Sequence, residues 1–214
     1  MDIVNILPIL KNKPMEYIKA IQKNYDDFIT YSDIPIGYQN LDRITIPAKF
    51  RNILDKMYIA VEDRYNLLLN FVSYKNTGYI AYAMIQEYFK QVYSKNENIE
   101  KNLLVEDYKR IMNINHLNQS PVHNIDTILR NIEYAPLVIW DKFSKLESTF
   151  DKQKIYDLLS IRKRNNCCNI FMIAGGTTNL SQVIGADIFD MMDVDFGGDY
   201  SRMNFEVPKK GMNL

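Results

Sequence analysis

The sequence has no excess of charge of either sign and no long apolar run. Its 214 residues include 26 lysines and arginines and 26 aspartates and glutamates, so the formal net charge at pH 7 is zero. This balance excludes a global positive field that would attract nucleic acid or an anionic membrane. No stretch reaches the roughly 20 apolar residues of a membrane span. Residues 1–11 lack the basic region and the cleavage site of a secretion signal, so we predict a cytoplasmic protein.

Cysteine and histidine are scarce. The two cysteines, Cys167 and Cys168, are adjacent in sequence, and neighbouring cysteines rarely form a disulfide because their side chains diverge. The two histidines, His116 and His123, add no paired spacing of the kind that zinc sites use. We therefore predict free thiols in a reducing compartment and no metal site.

Apolar residues are plentiful, at 47% of the chain, which is enough for one hydrophobic core. From residue 65 onward, short apolar segments alternate with longer amphipathic segments. The pattern predicts strands at 66–72, 102–105, 136–140 and 169–174, and helices at 80–93, 106–112, 124–133 and 151–165. Because strands that alternate with helices pair in parallel through right-handed crossovers, we predict a three-layer α/β sandwich.

The first third of the chain has a different pattern. Residues 14–28 have the apolar spacing of an amphipathic helix, which packs either on the main domain or on a partner. Prolines and a glycine interrupt 31–47, which predicts an irregular strap, and 48–64 again has helical spacing. We therefore divide the chain into an N-terminal helical extension at 1–30, an α/β domain at 31–205 and a flexible tail at 206–214.

Ligands of parallel sheets bind beyond the carboxyl ends of the strands, so the loops after Val72, Trp140 and Ala174 are the candidate site. The first of these loops has the sequence SYKNTG, with a single glycine at Gly78. A phosphate-binding loop needs glycines that let backbone N–H groups approach the anion, and a lysine that reaches the terminal phosphates.

Residues 66–84, NLLLNFVSYKNTGYIAYAM, resemble the strand, P-loop and helix of the helicase-loader branch of the AAA+ ATPases, the bacterial and phage loaders of DNA replication. The register has no gaps, and it places Phe71, Tyr74 and Asn76 at the glycine positions of the family. Thr77 stands at the lysine position and Gly78 at the position of the magnesium-binding hydroxyl. Lys75 lies two residues before the lysine position, and we do not assign it that role.

Residues 137–144, LVIWDKFS, resemble the Walker B strand of the same family. Asp141 matches the magnesium-associated aspartate. Lys142 stands where a second acid orients the attacking water, and a cation cannot accept the proton of that water. The alternative is a structural Asp141 that caps the next helix or pairs with Lys142 or a nearby arginine.

The resemblance continues in the correct order to about residue 205, beginning at a strap over 33–41. At the sensor position, the ungapped alignment places Ile173 and Ala174, whereas a short insertion would place Asn179. The segment that carries intersubunit arginines in the family has Asp187 and Met191 in their places. Arg202 matches an arginine that follows the closing strand, and a surface salt bridge is its alternative role.

The resemblance implies a vestigial nucleotide site made of Ser73, Lys75, Asn76, Thr77, Gly78, Asp141 and Arg202. We therefore predict no cofactor, with ATP and magnesium bound only if the site still functions, and we assign no catalytic residue.

The densest basic cluster is Arg162, Lys163 and Arg164 near the end of a predicted helix. These three residues are candidates for contact with single-stranded DNA, and a solvated helix face is the alternative.

Three functions remain open at this point. The first is a catalytically degenerate relative of the helicase loaders, encoded by a phage or another mobile element, that binds a replicative helicase, a loader or further copies of itself. The second is an active ATP-dependent loader that binds single-stranded DNA. The third is a structural or assembly protein of a mobile element that has kept the fold without a role in replication.

Overall fold

The structure is a computed structural model of the chain. It describes residues 25–26, 29, 34–39, 46, 48–55, 57–95, 103–107, 125–144, 148–174 and 185–200, with the backbone alone at 49, 92–95, 125–127 and 195–200. The helices of these residues are α1 (Arg51–Asp55), α2 (Met57–Glu62), α3 (Thr77–Lys95), α4 (Ile125–Tyr134), α5 (Thr149–Arg164) and α6 (Ala186–Met192). The strands are β1 (Asn66–Phe71), β2 (Leu104–Asp107), β3 (Leu137–Asp141), β4 (Cys168–Ala174) and β5 (Val194–Tyr200). Short 3₁₀ turns lie at Ile36–Tyr38 and Ala48–Phe50.

The five strands form one parallel sheet in the order β2-β3-β4-β1-β5. The three inner strands are mostly apolar because both faces of the sheet are covered. Since all strands are parallel, their carboxyl ends lie at one edge of the sheet.

The core is divided into two halves by the sheet, as alternating strand residues point to opposite faces. On one face, Leu69 and Ile139 pack in a cluster with residues of α1, α2 and α3. On the other face, Leu68 and Trp140 pack in a second cluster with residues of α4, α5 and α6. The predicted three-layer α/β sandwich with a parallel sheet is therefore confirmed.

The predicted elements of the α/β domain are close to those observed. The four predicted strands and three of the predicted helices are present with ends shifted by about three residues or fewer. The helix predicted at 106–112 is wrong at its start, because Glu106 and Asp107 are paired with β3 as part of β2. The rest of that predicted helix, 108–112, lies outside the described residues.

The helix predicted at 48–64 is divided into a 3₁₀ turn and two short helices. The side chain of Gln91 on α3 explains the break between α1 and α2: its amide donates to the carbonyl of Leu54 at 2.9 Å and accepts from the N–H of Tyr58 at 3.0 Å. In an unbroken helix these two backbone groups would bond to each other. Their partner is a half-buried side chain of a different helix, which the local pattern of 48–64 does not reveal.

The chain before the α/β domain is attached to α3. Tyr25 is helical and buried, with its ring edge-on to Phe89 at 4.9 Å between centroids and its hydroxyl bonded to Oε1 of Gln86 at 3.0 Å. The Gln86 amide donates to the carbonyl of Tyr38 in the strap at 2.7 Å. The described end of the predicted helix at 14–28 thus packs on the core, and the remainder of the 1–30 extension and the 206–214 tail lie outside the described residues.

The longest helix, α3, contains Glu87, Lys90 and Lys95 among its 19 residues. Among the described residues, no helix is both long enough and apolar enough to cross a membrane.

Candidate functional site

The carboxyl ends of β1, β4 and β3 meet at one edge of the sheet. Phe71, the last residue of β1, is paired with Ala174, the last residue of β4, and β3 ends beside them at Asp141. Residues 72–76 connect β1 to α3 at this edge. The structure therefore brings the site residues predicted at 73–78 together with Asp141.

The first residue of α3 is bonded directly to the last residue of β3. The Thr77 hydroxyl donates to Oδ1 of Asp141, and the backbone N–H of Lys142 donates to the same oxygen at 2.8 Å. Thr77 and Asp141 are both buried. A Cβ atom added at Gly78 would lie 3.5 Å from Oδ2 of Asp141, so the start of α3 packs against the carboxyl group. In the register of the resemblance, the residue at the lysine position bonds the residue at the magnesium position.

Burial raises the pKa of the Asp141 carboxyl above its ordinary value. The hydrogen bond from Thr77 and the charge of Lys142 act in the opposite direction but do not cancel the effect of burial, and the negative charge of Asp107 adds to it. Ionisation of the Asp141 carboxyl is therefore less favourable in the folded protein than in water.

The side chain of Lys142 pairs with Asp107. Its Nζ lies 2.7 Å from Oδ2 of Asp107, and this hydrogen bond is the main reason that the pKa of Lys142 is raised. The pair forms because the β2–β3 register places Asp107 opposite Asp141, one residue before Lys142. Pairing with Lys142 was one of the structural roles considered for Asp141. The Lys142 side chain instead bonds Asp107, and Asp141 accepts from the Thr77 hydroxyl.

Backbone N–H groups of loop 72–76 and of the first residue of α3 donate hydrogen bonds to other groups of the loop. The N–H of Lys75 donates to the Ser73 hydroxyl at 3.3 Å, and the N–H of Thr77 donates to the carbonyl of Tyr74 at 3.4 Å. The side chains of Ser73 and Lys75 are exposed, whereas Asn76 is half-buried and has a left-handed backbone with φ of 68°. An anion cradle needs such N–H groups directed at the ligand.

The residues at the three glycine positions also differ from a phosphate cradle. Phe71 is buried and stacks on Phe50 with 6.1 Å between ring centroids. Tyr74 directs its hydroxyl to the carbonyl of Phe143 at 2.5 Å, across the ends of the strands. With Thr77 in place of lysine, this arrangement does not fit a nucleotide phosphate with its magnesium ion. Among the described residues, no three His, Cys, Asp or Glu side chains cluster closely enough to hold a metal ion.

The basic cluster lies at the opposite edge of the sheet, where α5 leads into β4. Arg162 is fully buried, and its guanidinium donates to the Asn169 side chain and to the backbone carbonyls of Ile132, Ala135 and Cys168. Burial lowers the pKa of Arg162 to about 10. The assignment of Arg162 to DNA is therefore wrong, because its side chain has no exposed surface.

The other two members of the cluster are exposed. Lys163 donates from Nζ to the carbonyl of Met191 at the end of α6, and Arg164 follows it at the last position of α5. Their positive charges also interact favourably with the negative end of the α5 dipole. A role in DNA binding for Lys163 and Arg164 stays a prediction.

The remaining positions of the resemblance are distributed along β4 and α6. Ile173 is buried in the second core cluster, and Ala174 ends β4 beside the site. Asp187 and Met191 lie on α6, whose N-terminal boundary is Gly185 with a φ of 97°. Asn179 and Arg202 lie outside the described residues.

Two features of the site were missed in the sequence. Asp107 was assigned to a helix, and its pairing with Lys142 depends on the β2–β3 register. Tyr74 was noted as a misfit at a glycine position, but the target of its hydroxyl is 69 residues away in sequence. Two apolar segments each end in an acidic residue: the run that ends in Asp141, and the shorter segment 102–107 that ends in Asp107. This shared ending was the signal in the sequence that could have indicated Asp107.

The fold has known counterparts. The chain is similar to a solved structure of the DnaC helicase loader, with a TM-score of 0.51 and 14% identity over 74% of this chain and 90% of that chain. A solved structure of DnaI matches with a TM-score of 0.47 and 16% identity over 73% of this chain and 82% of that chain. No protein-family model and no curated protein matches the sequence. The likeness to the DnaC helicase loader confirms the fold that the resemblance implied.

Proposed function

We propose that this chain is a catalytically degenerate, helicase-loader-like protein of DNA replication that acts through protein contacts with a replicative helicase, a loader or further copies of itself. The observation that carries the proposal is the hydrogen bond from Thr77 to Asp141. At the two positions where the family binds phosphate and magnesium, this chain has an uncharged hydroxyl and a carboxyl group bonded to each other.

The charge arrangement at the end of β3 supports the loss of catalysis. Hydrolysis of a nucleotide needs a group that orients the attacking water and accepts its proton. Lys142 stands at that position as a cation, and its ion pair with Asp107 keeps it protonated because the pKa is raised. Asp107, the acid described beside this position, is engaged in the ion pair with the same lysine.

The replication role is proposed by analogy, from the shared fold with the DnaC helicase loader and from the order of the motif-like segments. Contacts with protein partners are the remaining way for a chain with this sheet and its two core layers to act if the crevice binds no nucleotide.

The test has two arms. In the first, the purified protein is titrated calorimetrically with ATP and with a non-hydrolysable analogue in the presence of magnesium, while phosphate release is measured. We expect no binding up to millimolar nucleotide and no turnover. Micromolar binding with turnover would instead support an active loader.

In the second arm, the tagged protein is incubated with the purified replicative helicase and loader of the cell in which it is expressed. We expect capture of one of them without added nucleotide, and a DnaC-fold protein of unrelated origin serves as the control. If neither is captured and the protein forms stable oligomers alone, the assembly-protein hypothesis replaces the replication role.

A further inference from the structure

Tyr74 is held at both ends. Its hydroxyl donates to the carbonyl of Phe143 at 2.5 Å, and its own carbonyl accepts from the N–H of Thr77 at 3.4 Å. The side chain is half-buried although it belongs to a surface loop. The phenol therefore extends from the loop after β1 to the loop after β3 rather than into solvent.

The acceptor of this hydrogen bond is itself a fixed point. The Phe143 ring is fully buried and packs edge-on to Phe171, with 5.3 Å between centroids. The N–H of Phe143 donates to the carbonyl of Met172 in β4 at 3.0 Å. A bond to the Phe143 carbonyl thus connects loop 72–76 to both β3 and β4.

We infer that Tyr74 is an intramolecular plug that fills the crevice at the carboxyl ends of β1, β4 and β3 and holds the loops after β1 and β3 together without a ligand. In a phosphate-binding loop, glycine at this position leaves room for the anion. Here the same position supplies a large side chain that bonds across the crevice. The two loops are therefore connected by a side chain of the protein and not by a bound ligand.

The electrostatic surroundings are consistent with a permanent donor. Burial raises the pKa of Tyr74, and the nearby charge of Asp141 raises it further, against a hydrogen bond with the backbone of Ala174. The phenol is therefore protonated at neutral pH, where it can donate its hydrogen bond. This inference goes beyond the proposed function and does not depend on the identity of any partner.

Hydrogen exchange of the intact chain, followed by mass spectrometry, tests the plug. The variant Tyr74→Phe removes the hydroxyl and keeps the ring, and Tyr74→Gly removes the whole side chain. Tyr134→Phe is the matched control, since that residue is 65% exposed at the end of α4. We expect exchange at 72–76 and at 142–144 to rise by about threefold to tenfold in Tyr74→Phe, as for the loss of one hydrogen bond, and further in Tyr74→Gly.

Three outcomes overturn the inference. The first is exchange that is unchanged in Tyr74→Phe, which folds with the ring in place and carries the test even if Tyr74→Gly does not fold. The second is exchange that rises at 72–76 and not at 142–144, since the two loops would then not be joined. The third is protection of 72–76 in the unmodified protein by millimolar ATP with magnesium, because a plugged crevice does not admit phosphate. A failure to capture a helicase would leave all three readouts unaffected.

Discussion

At the residue scale, the site is defined by a few substitutions whose effects depend on one another. Thr77 in place of a lysine leaves Asp141 without a cationic partner at that position, and the hydroxyl satisfies the carboxyl group by a hydrogen bond instead. The lysine at position 142 forms an ion pair with Asp107. The two acids of the crevice thus have partners within the chain, Asp107 in an ion pair and Asp141 in a hydrogen bond with an uncharged hydroxyl.

The raised pKa of Asp141 gives a pH-dependent prediction. A carboxyl group whose folded-state pKa lies above its unfolded value contributes stability below the unfolded pKa, near 4, and this contribution is lost as the pH rises through the folded-state pKa. Asp141→Asn does not titrate. We therefore expect the stability of Asp141→Asn relative to the unmodified protein to increase between about pH 4 and pH 7.

Urea denaturation at several pH values measures this difference. Asp157→Asn is the control, because Asp157 is exposed on α5. A difference between Asp141→Asn and the unmodified protein that is constant with pH would contradict the burial of the charged form.

The hydrogen bond from Thr77 can be tested separately. Thr77→Val keeps the shape of the side chain but removes the donor to a buried carboxylate, so we expect a loss of about 1–3 kcal/mol in the free energy of unfolding at pH 7. Thr149→Val, at the exposed start of α5, should change stability by less than about 0.5 kcal/mol. Equal stability of the two variants would show that the Thr77 hydroxyl does not stabilise Asp141.

At the element scale, the strands were predictable and several boundaries were not. The inner strands β1, β3 and β4 are largely buried on both faces, so each is a mostly apolar segment in the sequence, with Asn70 in β1 and Asn169 in β4 as buried polar exceptions. The short edge strand β2 ends in Glu106 and Asp107, which resemble the start of a helix until the partner strand is known. The break between α1 and α2 depends on Gln91, 33 residues after Tyr58.

The helix ends before β1 and β4 also lack the glycine that most often marks such a boundary. The left-handed residues there are Arg64 and Asn166, with φ of 61° and 56°, rather than glycine. The N–H of the next residue returns to the helix in both cases, from Tyr65 to the carbonyl of Ala60 and from Cys167 to that of Arg162. Local sequence alone places such ends only to within a few residues.

The buried arginine of α5 is a structural link between elements. Arg162 donates to Ile132 and Ala135 at the carboxyl end of α4, to Cys168 at the start of β4, and to Asn169, which also accepts from Trp140. Basic clusters in sequence do not distinguish a guanidinium of this kind from one in solvent, which is why the DNA prediction included it.

Neighbouring arginines of the cluster provide a matched comparison. Arg162→Met leaves buried carbonyl groups without donors, and we expect it to lower the free energy of unfolding by about 2–4 kcal/mol. Arg164→Ala removes an exposed side chain and should change it by less than about 0.5 kcal/mol. Chemical denaturation at pH 7 measures both. Similar losses for the two variants would contradict the assignment of Arg162 to the interior.

At the scale of the whole molecule, two described residues of the N-terminal region, Tyr25 and Ile29, pack in the core of the α/β domain. The Tyr25 side chain, the strap carbonyl of Tyr38 and the α3 side chain of Gln86 form one hydrogen-bonded group against Phe89. The sequence left open whether the helix at 14–28 packs on the domain or on a partner. The buried Tyr25 shows that the end of that helix packs on the domain. A partner site on its earlier residues stays a prediction.

Removal of this contact should therefore destabilise the whole fold. We expect Tyr25→Ala to lower the melting temperature by roughly 5–10 °C, because it empties a buried site and removes the hydroxyl that donates to Oε1 of Gln86. Tyr25→Phe, which keeps the ring, should lower it by roughly a third as much, and Tyr134→Ala serves as an exposed control. Deletion of residues 1–30 should shift the melt at least as far as Tyr25→Ala. If the deletion left the melt unchanged and abolished binding to a partner, the extension would be a docking element and not part of the core.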